Sequence, residues 1–179
     1  YDGYGQWRLQ NKNDLPELKQ KLTKLDLQKV PLIVETMVNF ERELSLVAVR
    51  SSEGDIVYYP LAENLQHKGQ LHVSIAPAPN VDTALNQQAQ DIFNKLAESL
   101  DYVGVLAVEF FQIGQQLLVN EIAPRVHNSG HWTMQGADTC QFENHLRAVR
   151  GLPLGSTKVT SPTAMINIIG CKAFERDML

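Results

Sequence analysis

Cysteine is scarce in this chain. Two thiols, Cys140 and Cys171, stand in 179 residues without the paired spacing of a metal site, which leaves a reducing cytoplasm as the expected setting. No apolar run approaches the roughly 18 residues of a membrane span. No Lys/Arg block interrupts a net charge of −4, which argues against nucleic acid or a membrane surface as the main partner and leaves small or anionic ligands. There is no internal repeat and no low-complexity segment. An initiator Met and a signal peptide are also missing, and the chain opens on the glycine-spaced YDGYGQW, so the expectation is an internal piece of a longer protein.

The 44% hydrophobic content suffices for a buried core. Asp14 as a cap, Pro16 in the first turn and Leu15, Leu18, Leu22 and Leu25 on one face predict a short amphipathic helix over 14 to 25. The runs PLIVETMV, ELSLVAVR and IVYYPLA, separated by turn residues, predict an antiparallel meander. Asp82 caps a longer helix carrying Leu85, Ala89, Ile92, Phe93, Leu96 and Leu100 and ending near Tyr102. VGVLAVEFF and QLLVNEIA predict two strands with Gly114 between them. A helix over 139 to 149, a linker over 151 to 162 and a strand in TAMINIIG complete the chain. The class is α+β, a mainly antiparallel sheet with packed helices.

Two glutamates stand out in the paired strands. Glu109 in VLAVEFF and Glu121 in LLVNEIA lie on segments otherwise fit for a core. In a hairpin symmetric about Gln115 they are directly opposed, with Cβ atoms about 5 Å apart. Like charges so placed call for a cation between them, and Mg²⁺, which takes hard oxygen ligands at about 2.0 to 2.1 Å and brings phosphates with it, fits the gap. Asn120 adds an amide oxygen for a metal or phosphate shell. A one-residue slip instead sends one carboxylate to the solvated face, and the pair alone leaves both readings open.

NEIAPRVHNSGHW follows, with Arg125, His127, Asn128 and Ser129 in a loop from Pro124 to Gly130. A guanidinium fork and an imidazole at a strand end suit a planar oxyanion such as carboxylate, bicarbonate or phosphate. A solvated loop whose His127 and His131 bond only to backbone is the alternative. At the other end of the chain, Gly3 and Gly5 permit backbone amides to approach a phosphate chain, a weak signal by itself.

Taken together, YDGYGQW, VET with NFERELSLVAVR, YYPLAENL, YVGVLAVEFF and NEIAPRVHNSGHWT closely resemble the N5-carboxyaminoimidazole ribonucleotide synthetases, the ATPase subunits of phosphoribosylaminoimidazole carboxylase, from Tyr1 to about Gly170. The resemblance implies an ATP-grasp fold truncated at both ends: a partial ATP-grasp domain over 1 to 160, then its end and the start of a further domain over 161 to 179. It implies a full-length homodimeric ligase of purine synthesis that uses ATP, bicarbonate and aminoimidazole ribonucleotide, with Mg²⁺, or Mn²⁺ in its place. Glu109 and Glu121 match the metal ligands. Glu35, Thr36 and Val38 match the segment that reads adenine, and Glu43 matches the acid on the ribose hydroxyls. Asn120 and Gln66 match further nucleotide contacts, and Tyr1, Gly3, Gly5 and Gln6 belong to the loop over the phosphates. Arg125, His127 and Asn128 match the group that handles bicarbonate and carboxyphosphate, and Asp2 the carboxylate placed against the aminoimidazole. Two positions depart from the family pattern. Tyr4 replaces an arginine of the loop, and Gln66, with His67 beside it, stands where a histidine is common. Another ATP-grasp carboxylate–amine ligase, or a nucleotide-binding piece without turnover, are the alternative expectations.

Overall fold

The computed structural model describes residues 7–29, 31–67 and 69–168. The chain divides into two compact units, residues 1–39 with 68–70, and residues 40–67 with 71–179.

In the first unit, helix α1 spans Leu15–Leu22 and follows a 3-10 turn, Lys12–Asp14. The helix therefore stops short of Leu25, and Asp14, at its N-cap position as expected, makes no side-chain capping hydrogen bond to it. The 3-10 turn before it is capped by Asn11, whose side chain accepts from Asn13 N–H at 2.8 Å while Asp14 accepts from the Asn11 N–H at 3.1 Å, a reciprocal box one turn earlier. PLIVETMV, expected as a strand, is irregular, with Ile33 and Val34 85% and 91% exposed. Its β-branched residues suit a pleated surface, but no ladder among the described residues pairs with it, and β-propensity without a partner does not make a strand.

The second unit is built on a seven-stranded sheet. Its strands are β1 (Arg42–Arg50), β2 (Ile56–Tyr58), β3 (Ala62–His67), β4 (Gln70–Ala76), β5 (Gly104–Ile113), β6 (Gln116–Ala123) and β7 (Thr163–Ile166). The order is β6-β5-β1-β3-β4-β7, with β2 also paired to β1. This is not the sequential meander expected. IVYYPLA is split at Pro60, which has no N–H for a ladder, and β3 and β4, unanticipated as strands, carry the sheet outward to β7. The central strand β1 is paired with β5 over its whole length, in antiparallel register from Arg42↔Gln112 to Arg50↔Gly104.

Strand alternation gives the sheet two different faces. On one, Leu44, Leu46, Ala48, Leu106, Val108 and Phe110 pack against helix α2 (Thr83–Ser99). Asp82 caps α2, accepting from Leu85 N–H at 2.8 Å. Its buried stripe is Leu85, Ala89, Phe93 and Ala97, while Leu100, beyond the helix end, is 52% exposed. On the other face Val47, Val49, Val105 and Ala107 meet Trp132 and Ala148, residues of short helix α3 (Thr133–Gly136) at its cap and of helix α4 (Gln141–Val149). The segment 151–162 is irregular but fastened down: Gly155 N–H donates to Asn144 Oδ1 at 2.7 Å, and Thr157 Oγ donates to Tyr58 O at 2.7 Å. It is thus part of the fold and not a free linker.

Candidate active site

The β5–β6 hairpin turns on two residues, Gly114 and Gln115, with Ile113 paired to Gln116. Gly114 at φ 58° takes the first central position, where a two-residue turn that matches strand twist favours glycine. The hairpin is therefore centred between Gly114 and Gln115, half a residue from the centre the sequence suggested. Left uninterrupted, that register would set Glu109 against Asn120. A β-bulge intervenes: Phe110 pairs with Val119 and Glu109 with Glu121, so Asn120 is the extra residue. The two carboxylates are opposed, for a reason the symmetric count did not contain.

Because paired residues share a face, Ser45 of β1, Glu109 of β5 and Glu121 of β6 form one row across three strands. Glu43 lies two residues along β1 on the same face, paired with Phe111 and Asn64. Gln66 donates through Nε2 to Glu43 Oε2 at 3.0 Å, whereas His67, on the alternate face of β3, neighbours His72. The Glu109 side chain is only 16% exposed. Burial, then the charges of Glu121 and Glu43, push its pKa up to about 7, with Arg125 acting in the opposite direction. Glu109 is therefore poised between charged and neutral at physiological pH, as expected for carboxylates gathered without a cation.

The loop after β6 closes over this row. His127 caps a 3-10 turn, Asn128–Gly130, and its Nε2 lies 3.7 Å from Glu109 Oε1. That spacing is within ion-pair range, yet the two are not an ion pair. Burial, helped by Arg125 and His131, lowers the His127 pKa to about 4, so the ring is neutral at pH 7. Its Nδ1 accepts from Ser129 N–H at 3.3 Å and lies 2.8 Å from Ser129 Oγ. The ring proton therefore sits on Nε2, facing Glu109. His131 is lowered by burial and stacks on Phe142 with centroids 5.6 Å apart. Arg125 is exposed; its guanidinium donates, among the described residues, to Val126 O at 3.0 Å and otherwise faces outward, with donors available to a ligand.

Among the described residues, two buried side-chain oxygens have no hydrogen-bond partner, Ser45 Oγ in this row and Asn128 Oδ1 in the loop after β6. A buried unpaired acceptor costs about 1–3 kcal/mol. With Glu109 and Glu121, the Ser45 hydroxyl in the same row makes an all-oxygen donor set, which fits a hard cation such as Mg²⁺. No group of three or more His, Cys, Asp or Glu among the described residues can hold a metal. A two-carboxylate site suits Mg²⁺, which ordinarily keeps waters and phosphate oxygens in its shell, better than an ion that needs a full protein cage.

The structure thus brings together Glu43, Gln66, Glu109, Glu121, Arg125, His127 and Asn128. Asn120, at the bulge, is exposed. Glu35, Thr36 and Val38 lie in the first unit, in irregular backbone. Tyr1, Asp2, Gly3, Tyr4, Gly5 and Gln6 lie outside the described residues. Ser45 was missed, although a serine two positions after Glu43 in an otherwise apolar strand shares that residue's face. Gln141, which holds the His127 backbone, was missed for want of any local signal.

The ATP-grasp domain model matches residues 1–142. The chain is 58% identical over 174 residues to the N5-carboxyaminoimidazole ribonucleotide synthase of Vibrio cholerae, covering 95% of this chain and 45% of that protein. It superimposes on the crystal structure of N5-carboxyaminoimidazole ribonucleotide synthetase from Thermus thermophilus with a TM-score of 0.78 at 53% identity, over 86% of this chain and 43% of that one. The Aspergillus clavatus synthase, solved in complex with ADP and 5-aminoimidazole ribonucleotide, matches with a TM-score of 0.85 at 35% identity, over 94% of this chain and 44% of that one. The chain spans about 45% of the length of the curated relatives it matches. With its family model matched over most of its length and its antiparallel sheet repeated in these structures, the chain belongs to the ATP-grasp family.

Proposed function

We propose that the full-length polypeptide carrying this chain joins bicarbonate to 5-aminoimidazole ribonucleotide with ATP, forming N5-carboxyaminoimidazole ribonucleotide, ADP and phosphate in purine synthesis. The observation that carries this reading is the Ser45–Glu109–Glu121 row under the Arg125–His127 loop, in a chain of the ATP-grasp family so similar to these synthases. The division at residue 160, a cytoplasmic setting and a homodimer belong to the same proposal. No helix among the described residues is long and apolar enough to cross a membrane.

Bicarbonate is a poor electrophile. Transfer of the ATP γ-phosphoryl group to one of its oxygens gives carboxyphosphate, whose carbon the aminoimidazole nitrogen then attacks, releasing phosphate. Glu109 and Glu121 would hold Mg²⁺, or Mn²⁺, which when bound neutralises phosphate charge during the transfer. Glu43 is suited to the ribose hydroxyls, with Gln66 fixing its carboxylate. Arg125 supplies a two-pronged donor set to the oxyanion that develops as bicarbonate is phosphorylated. His127, neutral with its proton on Nε2, donates a hydrogen bond without adding charge, and Asn128 offers an amide beside it. Glu35, Thr36 and Val38 for adenine, Asn120 for ATP, and Asp2 with Tyr1, Gly3, Gly5 and Gln6 for the cover that keeps carboxyphosphate from water complete the assignment.

ADP release by the full-length polypeptide tests it. Release should require bicarbonate and rise on addition of 5-aminoimidazole ribonucleotide, with the carboxylated ribonucleotide as product. Release driven equally by formate or another carboxylate with a different amine acceptor would assign the chain to another ATP-grasp ligase.

A further inference from the structure

Helix α4 begins with a residue that is wholly buried, polar and far from the carboxylate row in sequence. Gln141 Oε1 accepts from the His127 backbone N–H at 2.9 Å, and Gln141 Nε2 donates to the His127 carbonyl at 2.7 Å. One side-chain amide thus satisfies both backbone groups of one residue fourteen positions away, and the two bonds together fix which end of the amide is oxygen. The Gln141 N–H donates to Thr133 Oγ at 3.0 Å, and Thr133 Oγ donates to the Gly130 carbonyl at 2.7 Å. Gln141, Thr133 and Ser129 are all 0% exposed. A Cβ on Gly130 would lie 2.6 Å from Gln141 Oε1, so the loop reaches this close to the helix only because position 130 is glycine.

We infer that Gln141 is the positioning residue for His127: it grips the loop backbone so that the imidazole, tethered through Nδ1 to Ser129, presents Nε2 to Glu109. Helix capping does not need this side chain, since Cys140 is the N-cap. Packing volume does not need it either, since an apolar side chain of equal size would fill the space. The His127 carbonyl also accepts from the Gly130 N–H at 3.0 Å, but the buried His127 N–H is paired by the Gln141 amide, and losing that amide would strip this partner and free the loop to shift. A group held about 1 Å out of place costs as much as 10²-fold in a reaction that depends on alignment. The inference rests on the role proposed for His127 and adds to it what fixes the ring.

The test compares Gln141→Met, Gln141→Glu and His127→Ala in the full-length polypeptide. Gln141→Met keeps the volume and removes both bonds. Gln141→Glu keeps an oxygen toward the His127 N–H and loses the donor toward its carbonyl. Each is measured for kcat, for ATP affinity by direct titration and for the His127 ring-nitrogen NMR signals, below its own melting temperature. Both Gln141 variants should lose about 10- to 100-fold in kcat, with ATP affinity within a few-fold of the parent and the Nε2–H signature broadened or lost. A folded Gln141 variant with unchanged kcat, while His127→Ala is impaired, would overturn the inference and leave the His127 assignment standing. A kcat loss matched by lost ATP affinity would make Gln141 merely structural and overturn the inference too. Unimpaired His127→Ala would overturn the assignment and the inference together. If Gln141→Met does not fold, Gln141→Glu decides by the same outcomes.

Discussion

The helices on the two sides of the sheet bury very different residues. Helix α2 presents Leu85, Ala89, Phe93 and Ala97 to one face and packs there in a mainly apolar cluster, with the Tyr58 hydroxyl donating to Asn94 Oδ1 at 2.6 Å at its edge. Helix α4 buries Gln141, Asn144 and Ala148. Its Asn144 Nδ2 donates to Tyr59 Oη at 2.9 Å, while that hydroxyl donates to the Thr139 carbonyl at 2.8 Å. The same strands supply both faces, residue by alternate residue. The α2 face is non-directional burial, tolerant of any well-packed apolar set. The α4 face adds a hydrogen-bonded frame to its own apolar cluster, and its polar end holds Glu43, Ser45, Glu109 and Glu121. Both faces carry an apolar core, but the polar chemistry lies on the α4 side, so substitutions in the α2 core and in the polar row should fail in different ways.

The sharpest contrast is expected between a carboxylate and a core phenyl ring. Glu121→Gln should lower turnover on the order of 10³-fold, the several kcal/mol that a metal's charge stabilisation supplies, with little change in melting temperature. Phe93→Ala should do the reverse. A fully buried ring that also meets Tyr58 edge-on at 5.9 Å costs about 3–5 kcal/mol on truncation, seen in denaturant unfolding, while the remaining folded protein keeps its kcat. Equal loss of stability and turnover in both variants would erase the distinction between the faces.

Arg125→Ala should lower kcat by about 10² to 10³, the range for deleting one oxyanion donor, and spare ATP affinity. Arg125→Lys should recover only part of the loss, since the charge remains without the two-pronged geometry. ATP affinity falling in step with kcat would move the loop to the nucleotide.

A smaller effect lies in the pH dependence of stability without nucleotide or metal. Glu109, raised to about 7, contributes stability that is full below its ordinary 4.5 and is lost as pH rises toward 7. His127, lowered to about 4, contributes stability that is full above its ordinary 6.5 and is lost as pH falls toward 4. Each is worth roughly 3 kcal/mol at most, and the two oppose each other. Between pH 4.5 and 6.5 their sum is nearly flat. Glu109→Gln should therefore unmask a rise in stability with pH, and His127→Gln a fall. Parallel curves in both variants would contradict the opposed shifts. Smallest of all, Glu43→Ala should raise the KM for ATP about tenfold, roughly one lost charge-assisted hydrogen bond, and leave that for bicarbonate unchanged. An unaltered ATP dependence would remove Glu43 from the ribose.

The directional face was also harder to read from sequence. The α2 stripe was legible because apolar residues at helical spacing behind Asp82 have few other uses. The strands of the Glu109–Glu121 hairpin were legible from their apolar runs and from Gly114. Its register was not, because the turn length and the bulge at Asn120 are set by twist and pairing geometry that no residue type announces. QLHVSIA was passed over as a strand because His72 and Ser74 dilute its apolar run, although Ser74 is buried with its hydroxyl on Asn64 at 2.7 Å. Gln141 left no trace, since a polar residue in a first helical turn ordinarily faces water.

The central claim is that Glu109 and Glu121 act together on one divalent cation, and a double-mutant cycle in Mg²⁺ dependence tests it most directly. Turnover of the full-length polypeptide is followed against Mg²⁺ concentration for the parent, Glu109→Gln, Glu121→Gln and the pair combined. Each single variant should raise the Mg²⁺ requirement strongly, and the double variant should be little worse than the poorer single, as for two ligands of one ion. Independent, additive losses, or a normal Mg²⁺ requirement in Glu121→Gln, would contradict the account.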